Sequence, residues 1–408
     1  MPQCELITIG SELLNGSVLN TNAQFLSGRI TRLGIEVVFQ TSCRDCEREI
    51  IECLKTAFLR SDLVFVTGGL GPTPDDITRE AVGAFFRCGL KFDQKQYRHI
   101  VRYFKKFKKT PPFMTKKEAF LPEIAKPLLN RFGIALGFYV ESDEKLTVVL
   151  PGVPRELINM YNTVVEPLIL NKFKERLAYY TAEAHLAGLY ETQVMQKLGK
   201  GFFKNRDFEF GIYPEIGEVT IRIKTQDLKL KKVLEREMGK RLKPFLYSLN
   251  GCSLAEIIGS LLVKRKFTLS VAESCTAGLL AERLTDFAGS SQFFKGGIIA
   301  YHNRIKTNYL DISKNLLEKK GAVSKEVCSQ MAKAIRLKFD SSIGISITGI
   351  AGPSGGSPKK PVGLVYIGLS DKKRTKIFDF LFSGERSKIR LQAAQKALFL
   401  LYQWLIQK

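Results

Sequence analysis

The stretch "DLVFVTGGLGPTPDDITRE", Asp62–Glu80, leads from a β-branched run through a glycine-rich turn into a helix-forming run. A strand followed by such a turn and a helix is the repeating unit of doubly wound sheets. The same alternation recurs in "ELITIG" before "NAQFLSGRITRLG", in "VVFQTS" before "EREIIECLKTAFL" and in "LTVVLPG" before "RELINMYNTVV". We therefore predict a doubly wound α/β domain over residues 1–170.

The alternation resumes over residues 251–408. Strand-like "TLSVAES", "GGIIAY", "SIGISITG", "GLVYIGLS" and "KIFDFLF" are interspersed with helical segments, and "SKIRLQAAQKALFLLYQWL" closes the chain as a helix. Residues 171–250 contain one clear strand, "EVTIRIKT", followed by the charged helix "LKLKKVLEREMGKRL". The predicted fold is therefore two doubly wound α/β domains joined by a small α+β domain.

Composition narrows the class of protein. Hydrophobic residues make up 45% and charged residues 25% of the 408 residues, which is typical of globular domains. The N-terminal "MPQCELITIGSELL" lacks a basic region ahead of an apolar one, and no apolar run reaches the ~18 residues of a spanning helix. We expect a soluble, cytoplasmic protein without a membrane partner. Its eight cysteines are expected to be reduced, and the lone CxxC of Cys43 and Cys46 does not favour zinc.

The formal net charge of +23 would attract nucleic acid, anionic lipid or phosphorylated metabolites, without choosing among them. The densest basic run is "KKFKKTPPFMTKK", Lys105–Lys117. Such a run is more typical of a solvated face than of a nucleic-acid site, so we do not expect nucleic acid as a partner.

The first candidate site is the glycine-rich turn "VTGGLGPTPDD". Glycines let backbone N–H groups approach an anion, and the following helix N-terminus adds positive potential, so a phosphate-bearing ligand fits this turn. Asp75 and Asp76 would hold a hard divalent cation that bridges to phosphate oxygens. Alternatively, Thr73 to Asp76 form a capping box with Pro74 at the first helical position, which needs no ligand. The residues alone favour neither interpretation.

The second candidate site lies in "LSVAESCTAGLLAERLT", Leu269–Thr285, where a strand gives way to a helix. Ser274 would be a nucleophile if a base took its proton, or a helix N-cap without catalytic role. Cys275 would be the better nucleophile if the helix N-terminus lowered its pKa. The base would be His302, the one histidine in this domain, or Lys306, because a desolvated amine can lose its proton near neutral pH.

Two further segments favour an anionic ligand in the same domain. "SITGIAGPSGG", Ser346–Gly356, is a second glycine-rich turn directly after a strand, which suits a phosphate. "SGER", Ser383–Arg386, precedes the last helix, and Arg386 would reach an anion from the helix start.

The motifs "ITIGSELLNGSVLNTNAQFLS", "GGLGPTPDDITRE" and "LPGVPREL" resemble the amino-terminal domain of the CinA family, which is similar to molybdopterin-binding domains of the MoaB and MogA type. The resemblance implies a pyrophosphatase for ADP-ribose-like nucleotides that uses a divalent metal ion, with potassium as an additional ion. It places near the nucleotide Ser11, Glu12, Asn22, Gly68, Gly69 and Gly71, with Asp75 and Asp76 as the metal ligands. The family usually has "GTAPG" where this chain has "GIALG", Gly133–Gly137, a change that would loosen a pocket wall.

The motifs "AESCTAGL", "GSSQFFKGGIIAYHNRIK", "TGIAGPSGGSPKKPVGLVYIGL" and "SGER" resemble the carboxy-terminal domain of the same family, the PncC-type nicotinamide mononucleotide deamidases. The resemblance implies hydrolysis to nicotinate mononucleotide and ammonia without a cofactor. It makes Ser274 the nucleophile and Lys306 and Tyr301 the proton-transfer partners, and leaves Cys275 a packing residue. It assigns to substrate binding Thr276, Gly349, Gly352, Ser354, Gly355 and Arg386.

One departure falls inside this second motif. The family usually has two glycines after the threonine, whereas this chain has Ala277 before Gly278. The extra methyl group would either crowd the substrate or favour the following helix.

The family also implies partners: the small nucleotides nicotinamide mononucleotide and ADP-ribose, and a second copy in a homodimer. Its linking domain resembles a KH domain, but no two glycines between Asn171 and Asn250 have the GxxG spacing that clamps RNA. We therefore expect a structural or dimerising role for residues 171–250. Two alternatives to an enzyme stay open: a catalytically impaired nucleotide binder, and a partner protein in DNA uptake or recombination, which the family's competence-linked name suggests.

Overall fold

The structure is a computed structural model that describes residues 2–174, 179–204 and 206–407. The chain divides into two compact units, Met1–Tyr180 and Thr181–Lys408. The strands of the first unit are β1 (Gln3–Ile9), β2 (Glu36–Cys43), β3 (Leu63–Thr67), β4 (Leu90–Phe92), β5 (Phe120–Pro122), β6 (Lys126–Leu128), β7 (Gly137–Ser142) and β8 (Lys145–Leu150). Its helices are α1 (Ser11–Leu14), α2 (Thr21–Arg32), α3 (Glu47–Arg60), α4 (Thr78–Phe85), α5 (Gln94–Lys106), α6 (Pro154–Met160) and α7 (Glu166–Lys172).

The first unit is built on a six-stranded sheet of order β2-β1-β3-β8-β7-β6. β2, β1, β3 and β8 are parallel to one another, and β7 and β6 add antiparallel strands at one side. All five residues of β3 are buried, as expected for a parallel strand covered on both faces. Two apolar cores result, one containing Leu26 and Tyr161 and the other Leu54 and Val82.

In the second unit the strands are β9 (Tyr180–Ala187), β10 (Glu209–Glu215), β11 (Glu218–Thr225), β12 (Leu246–Ser248), β13 (Leu269–Glu273), β14 (Phe294–Ile299), β15 (Ile343–Gly349), β16 (Leu364–Ser370) and β17 (Thr375–Leu381). The helices are α8 (Glu191–Leu198), α9 (Leu228–Arg241), α10 (Leu254–Lys264), α11 (Leu279–Thr285), α12 (Asn303–Leu310), α13 (Lys314–Lys320), α14 (Lys325–Lys338) and α15 (Arg386–Ile406). A four-stranded sheet, β10-β11-β9-β12, has its own apolar core and precedes a five-stranded sheet, β14-β13-β15-β16-β17.

The five-stranded sheet determines where the second candidate site forms. β14, β13 and β15 run parallel, so their carboxyl ends at Ile299, Glu273 and Gly349 lie along one edge. The segments that follow these ends carry Tyr301, Ser274 and the glycine-rich turn after β15. The sheet therefore brings together three motifs that are far apart in sequence.

The α/β fold class is confirmed, although both large sheets are mixed because antiparallel strands complete them. The strand "EVTIRIKT" coincides with β11, and the charged helix after it with α9. The division into three domains and the KH-like character of the middle one stay predictions. Among the described residues, no helix is both long and apolar enough to cross a membrane.

Candidate functional site

Ser274 lies directly after β13, in a turn that precedes α11. Its backbone N–H donates to the Ile347 carbonyl (2.9 Å), and its carbonyl accepts from the Ala277 N–H (3.2 Å). α11 begins only at Leu279, with Gly278 at the N-cap. The interpretation of Ser274 as the helix N-cap is therefore wrong.

The carboxylate of Glu273 satisfies the helix start instead. It accepts hydrogen bonds from the N–H groups of Gly278 (3.0 Å), Leu280 (3.1 Å) and Ala281 (2.9 Å). Glu273 is the last residue of β13, and its carboxylate binds the start of α11. The turn between β13 and α11 is therefore fixed at both ends. The N–H groups of Cys275 and Thr276 lie within this turn and are not among the donors to Glu273. Sequence analysis missed Glu273, although an acidic residue at the end of a buried strand was a signal.

Lys306 contacts Ser274 directly. Its Nζ lies 3.2 Å from Ser274 Oγ, 2.6 Å from the Ala300 carbonyl oxygen and 3.1 Å from the Tyr301 carbonyl oxygen. The side chain is 1% exposed, and this burial lowers the pKa of Lys306 from 10.5 to about 8. The charged amine can donate to all three oxygens, whereas the neutral amine has two hydrogens for the two carbonyls and a lone pair that would then be available to the Ser274 hydroxyl. Such a contact would allow Lys306 to act as a general base towards Ser274.

The structure does not favour the two alternatives, Cys275 as the nucleophile and His302 as the base. Burial raises the pKa of Cys275 to about 12, so Cys275 is a thiol at neutral pH and not the thiolate that attack requires. His302 accepts a hydrogen bond from the Arg304 N–H at Nδ1 (3.2 Å) and caps α12. A packing role for Cys275 and a capping role for His302 account for their positions.

Tyr301 and Arg386 meet beside the glycine-rich turn. Arg386 donates to the Tyr301 hydroxyl (2.6 Å) and to the Gly352 carbonyl (2.7 Å). Tyr301 contacts Lys306 through its backbone carbonyl and Arg386 through its phenol, so its proton-transfer role stays a prediction. Ser354 and Gly355 are exposed in the same turn, and Gly349 ends β15.

Thr276 is buried and is contacted by α15. Its side chain is fully buried, and its hydroxyl has no partner among the described residues. Its carbonyl accepts from Arg390 Nη2 (2.9 Å). Arg390 was also missed, although it lies one helical turn after Arg386 and therefore on the same face of α15.

Ala277 adopts a left-handed backbone conformation with φ 51°. Because α11 begins two residues later, the methyl group does not extend the helix, and that interpretation of the substitution is wrong. Glycine adopts this left-handed conformation more easily than alanine does. The glycine that the family usually has at this position would therefore suit the backbone better.

At the first candidate site, the structure brings Glu12 and Asn22 together in a 90 Å³ cavity at the ends of β1 and β3. Asn22 Nδ2 donates to the Gly152 carbonyl (2.7 Å) and to Thr67 Oγ1 (3.3 Å), while its Oδ1 is buried without a partner among the described residues. Ser11 lies just outside and donates to Asp45.

The glycine turn is shaped by its own backbone and by a buried arginine. Gly68 and Gly69 have φ values of 108° and 62°, which side chains with a Cβ rarely adopt. Arg79 is fully buried and donates to the carbonyls of Leu70 and Gly71. These carbonyls therefore face Arg79, a residue that sequence analysis did not single out.

Asp75 and Asp76 lie outside the Glu12 cavity. Asp76 Oδ2 accepts the Thr73 N–H (2.9 Å) and the Thr73 hydroxyl, which closes a local turn. α4 begins at Thr78, so the capping box at Thr73 does not start this helix and that prediction is wrong. In the described part of the chain, no group of three histidine, cysteine or acidic side chains is placed to hold a metal ion.

The "GIALG" segment lines neither this cavity nor the 570 Å³ cavity beside Thr73. Asn130 holds it by accepting the Gly133 N–H (3.0 Å) and donating to the Ala135 carbonyl (3.0 Å). Leu136 is buried in the core. A loosened pocket wall at this segment therefore stays a prediction.

Comparison with known proteins decides the family. A "CinA C-terminal domain" model matches residues 252–405, and a "Probable molybdopterin binding domain" model matches residues 5–171. A relative from Thermoanaerobacter pseudethanolicus, named for competence-damage induction, is 40% identical over 410 residues and covers 98% of both chains. The chain belongs to the CinA family. This confirms the resemblance seen in its motifs.

Other CinA proteins are similar. A CinA-like protein of Dictyoglomus thermophilum is 38% identical over 402 residues, covering 97% of each chain. The crystal structure of CinA from Thermoplasma acidophilum, whose function is described as unknown, is 31% identical over 41% of this chain and 98% of its own, with a TM-score of 0.39.

Proposed function

We propose that the carboxy-terminal part of this CinA protein hydrolyses the carboxamide of nicotinamide mononucleotide to nicotinate mononucleotide and ammonia. The observation that carries the proposal is the contact between Ser274 Oγ and the buried Lys306 Nζ, 3.2 Å apart, with the Lys306 pKa lowered to about 8. The substrate comes from the resemblance to PncC-type deamidases. No metal or cofactor takes part.

In this proposal, Lys306 takes the Ser274 proton as the oxygen attacks the carboxamide carbon. The backbone N–H groups of Cys275 and Thr276 stabilise the oxyanion that forms, because they lie beside Ser274 and are not used by Glu273. Lys306 then returns the proton to the departing ammonia, which leaves an ester on Ser274. A water molecule, deprotonated by Lys306, hydrolyses this ester and restores the serine.

The substrate phosphate would bind at the glycine-rich turn. Arg386 lies at the start of α15, where the helix N-terminus favours an anion, and already bridges the Gly352 carbonyl and the Tyr301 hydroxyl. Ser354 and Gly355 offer exposed donors next to it. Arg390 would position the serine turn through the Thr276 carbonyl.

The test is ammonia release by the purified full chain from nicotinamide mononucleotide, compared with nicotinamide riboside, which lacks the phosphate. We expect turnover of the mononucleotide and at least about tenfold lower kcat/KM for the riboside. Arg386→Met should narrow this difference between the two substrates. No ammonia from either substrate would contradict the proposal and favour the alternative of a nucleotide-binding or DNA-uptake partner protein.

For the amino-terminal part we propose a pyrophosphatase for ADP-ribose-type nucleotides. The buried, unpartnered Asn22 Oδ1 beside Glu12, at the ends of parallel strands, supports a polar ligand at this edge. A resident three-ligand metal site does not fit the described residues, but Mg²⁺ commonly binds one or two carboxylates together with substrate phosphates. Asp75 and Asp76 would be those carboxylates, and the ion would neutralise diphosphate charge.

Asp75→Asn and Asp76→Asn test this second activity. We expect both to lower AMP release from ADP-ribose in Mg²⁺, because asparagine supplies no charge to the ion. Asp75 is exposed, so Asp75→Asn should leave thermal unfolding unchanged, whereas Asp76→Asn also weakens the Thr73 turn. If both variants lose stability but release AMP as fast as the wild type, the two carboxylates only stabilise the turn and do not bind the metal ion.

A further inference from the structure

The first unit contains a basic segment, residues 94–117, which includes α5 and the beginning of the 3₁₀ helix Phe113–Ala119. Its 24 residues include nine lysines and arginines and no acidic residue. Eight of these nine cations are exposed, and Lys117 is the one for which the described residues provide an ion pair, with Glu80 (3.5 Å). The segment therefore presents positive charge that the described part of the protein does not neutralise, and this charge would attract an anionic polymer.

Aromatic rings are exposed among these cations. Phe113 is 88% exposed and Phe107 is 60% exposed, and each of them has lysines on both sides in the sequence. The charge of the run alone favoured a solvated face, whereas the structure adds exposed rings next to exposed lysines. Proteins that bind single-stranded nucleic acid combine cations for the phosphates with aromatic rings on which bases stack.

Phe113 also lines a recess, the 570 Å³ cavity beside Thr73. Lys117 fixes the wall of this recess, because its Nζ donates to the carbonyls of Asp76 (2.6 Å) and Thr73 (3.3 Å). Among the described residues that line it, Glu80 is the one acidic side chain, and it is the ion-pair partner of Lys117. The apolar residues of the lining are Pro72, Pro74, Leu90, Phe113, Met114 and Phe120. Such a recess fits a flat base, while the lysines beside it suit the phosphates on either side of that base.

A single strand fits this surface better than two other anionic partners do. In a duplex the bases are stacked on one another inside the helix, so none of them is available to stack on Phe113 unless it is unpaired. A lipid surface takes up apolar side chains that form one continuous face, whereas Phe107 and Phe113 are separated in the sequence by lysines and prolines. The recess beside Phe113 is concave, which suits a base that turns out of a flexible strand.

We propose that the basic segment and the adjoining recess bind single-stranded nucleic acid without reading its sequence. The exposed lysines of the segment, among them Lys105, Lys106 and Lys109, contact phosphates, and one base stacks on Phe113 at the recess. Because the contacts are to phosphates and to the face of a base, strands of any sequence bind. The proposal does not depend on either enzyme activity proposed above, since none of the catalytic or metal-binding side chains takes part.

Fluorescence anisotropy of labelled oligothymidylate and oligouridylate, each of about twelve nucleotides, tests the proposal with the full chain at several salt concentrations. We expect saturable binding that weakens as salt rises. The variant Lys105→Gln/Lys106→Gln/Lys109→Gln should bind at least about tenfold more weakly, with a log–log salt slope smaller by about 2 because three phosphate contacts are lost. The matched control is Lys229→Gln/Lys232→Gln/Lys240→Gln, which removes the same charge from exposed positions of α9 and should bind as the wild type does.

Substitutions of Phe113 test the stacking contact. Phe113→Ala and Phe113→Leu should each weaken binding by about fivefold at every salt concentration, whereas Phe113→Trp should bind at least as tightly as the wild type. Thermal unfolding should not change, because the ring is exposed.

Three results would overturn the proposal. The first is no saturable binding of either oligonucleotide at about 50 mM salt. The second is equal affinity of the two triple-lysine variants, because binding would then follow net charge and not this surface. The third is binding to phosphatidylserine vesicles that exceeds binding to the oligonucleotides and survives Phe113→Leu, which would assign the surface to a membrane. Tighter binding of one oligonucleotide than of the other would support the proposal and identify the type of sugar that is preferred.

Discussion

The two candidate sites occupy equivalent places, since both lie at the carboxyl ends of parallel strands beside a glycine-containing turn, but they differ in what the protein itself supplies. At the carboxy-terminal site a nucleophile and a base are in contact, and burial has already shifted the pKa of the base. At the amino-terminal site, Glu12 and Asn22 share a small cavity while Asp75 and Asp76 lie outside it. In our proposal, the side chains of the first site supply the catalytic groups. Catalysis at the second site would depend on the charges of the bound nucleotide and of its metal ion.

Lys306→Met should produce the largest difference between the activities of the two sites. Without a base for Ser274, we expect amidase kcat to fall at least about a hundredfold. The melting temperature should fall modestly, because methionine leaves the Ala300 and Tyr301 carbonyls without the donor that Lys306 supplies. Ammonia release and thermal unfolding measure both effects, and ADP-ribose hydrolysis is the internal control.

Lys306→Arg is the matched variant, since it keeps a positive charge that does not deprotonate. It should be as inactive as Lys306→Met. Substantial amidase activity in either variant would show that Lys306 is not the base. The carboxy-terminal site would then no longer differ from the amino-terminal site by supplying its own base.

The pH dependence of the rate should give the next largest difference between the two sites. The pKa of Lys306 is lowered to about 8, and the neutral amine is the active form, so amidase kcat/KM should rise with pH and level off above about 8. Between pH 7 and pH 9 this corresponds to a rise of about tenfold. Initial rates of ammonia release in overlapping buffers measure the profile. A rate that falls over this interval would contradict a lysine base.

Glu273→Gln should weaken the turn that carries Ser274. Glutamine offers one acceptor oxygen in place of two and turns an N–H₂ group towards backbone donors, so we expect a loss of about 1.5–3 kcal/mol in unfolding free energy. Denaturant titration measures this loss, with Glu282→Gln on the exposed face of the same helix as control. An unchanged midpoint would show that Glu273 does not hold the turn.

Ala277→Gly should have the smallest effect. Relief of the left-handed conformation is opposed by the greater freedom of glycine in the unfolded chain, so the unfolding free energy should rise by at most about 1 kcal/mol. If the methyl group also crowds the substrate, KM for nicotinamide mononucleotide will fall as well. A rise in KM would instead show that alanine suits this active site.

Periodicity in the sequence predicted β1, β2, β3 and β8, β11, and all five strands of the last sheet, but it did not predict β4 to β7, β9, β10 or β12. It also placed Ser274 and Lys306 among the candidates. It did not predict the Lys306 pKa, since desolvation arises only when β13, β14 and α12 pack together. Both capping predictions were wrong because α11 and α4 begin later than their patterns suggested, after turns that Glu273 and Asp76 hold with their side chains.

The central claim is that Ser274, and not its neighbour Cys275, attacks the carboxamide under the control of Lys306. Ammonia release from nicotinamide mononucleotide by wild type, Ser274→Ala and Cys275→Ala tests it most directly, with mononucleotide binding to each protein measured alongside. We predict activity in the wild type and in Cys275→Ala, and its loss in Ser274→Ala with binding retained. Turnover that survives Ser274→Ala but not Cys275→Ala would contradict the account.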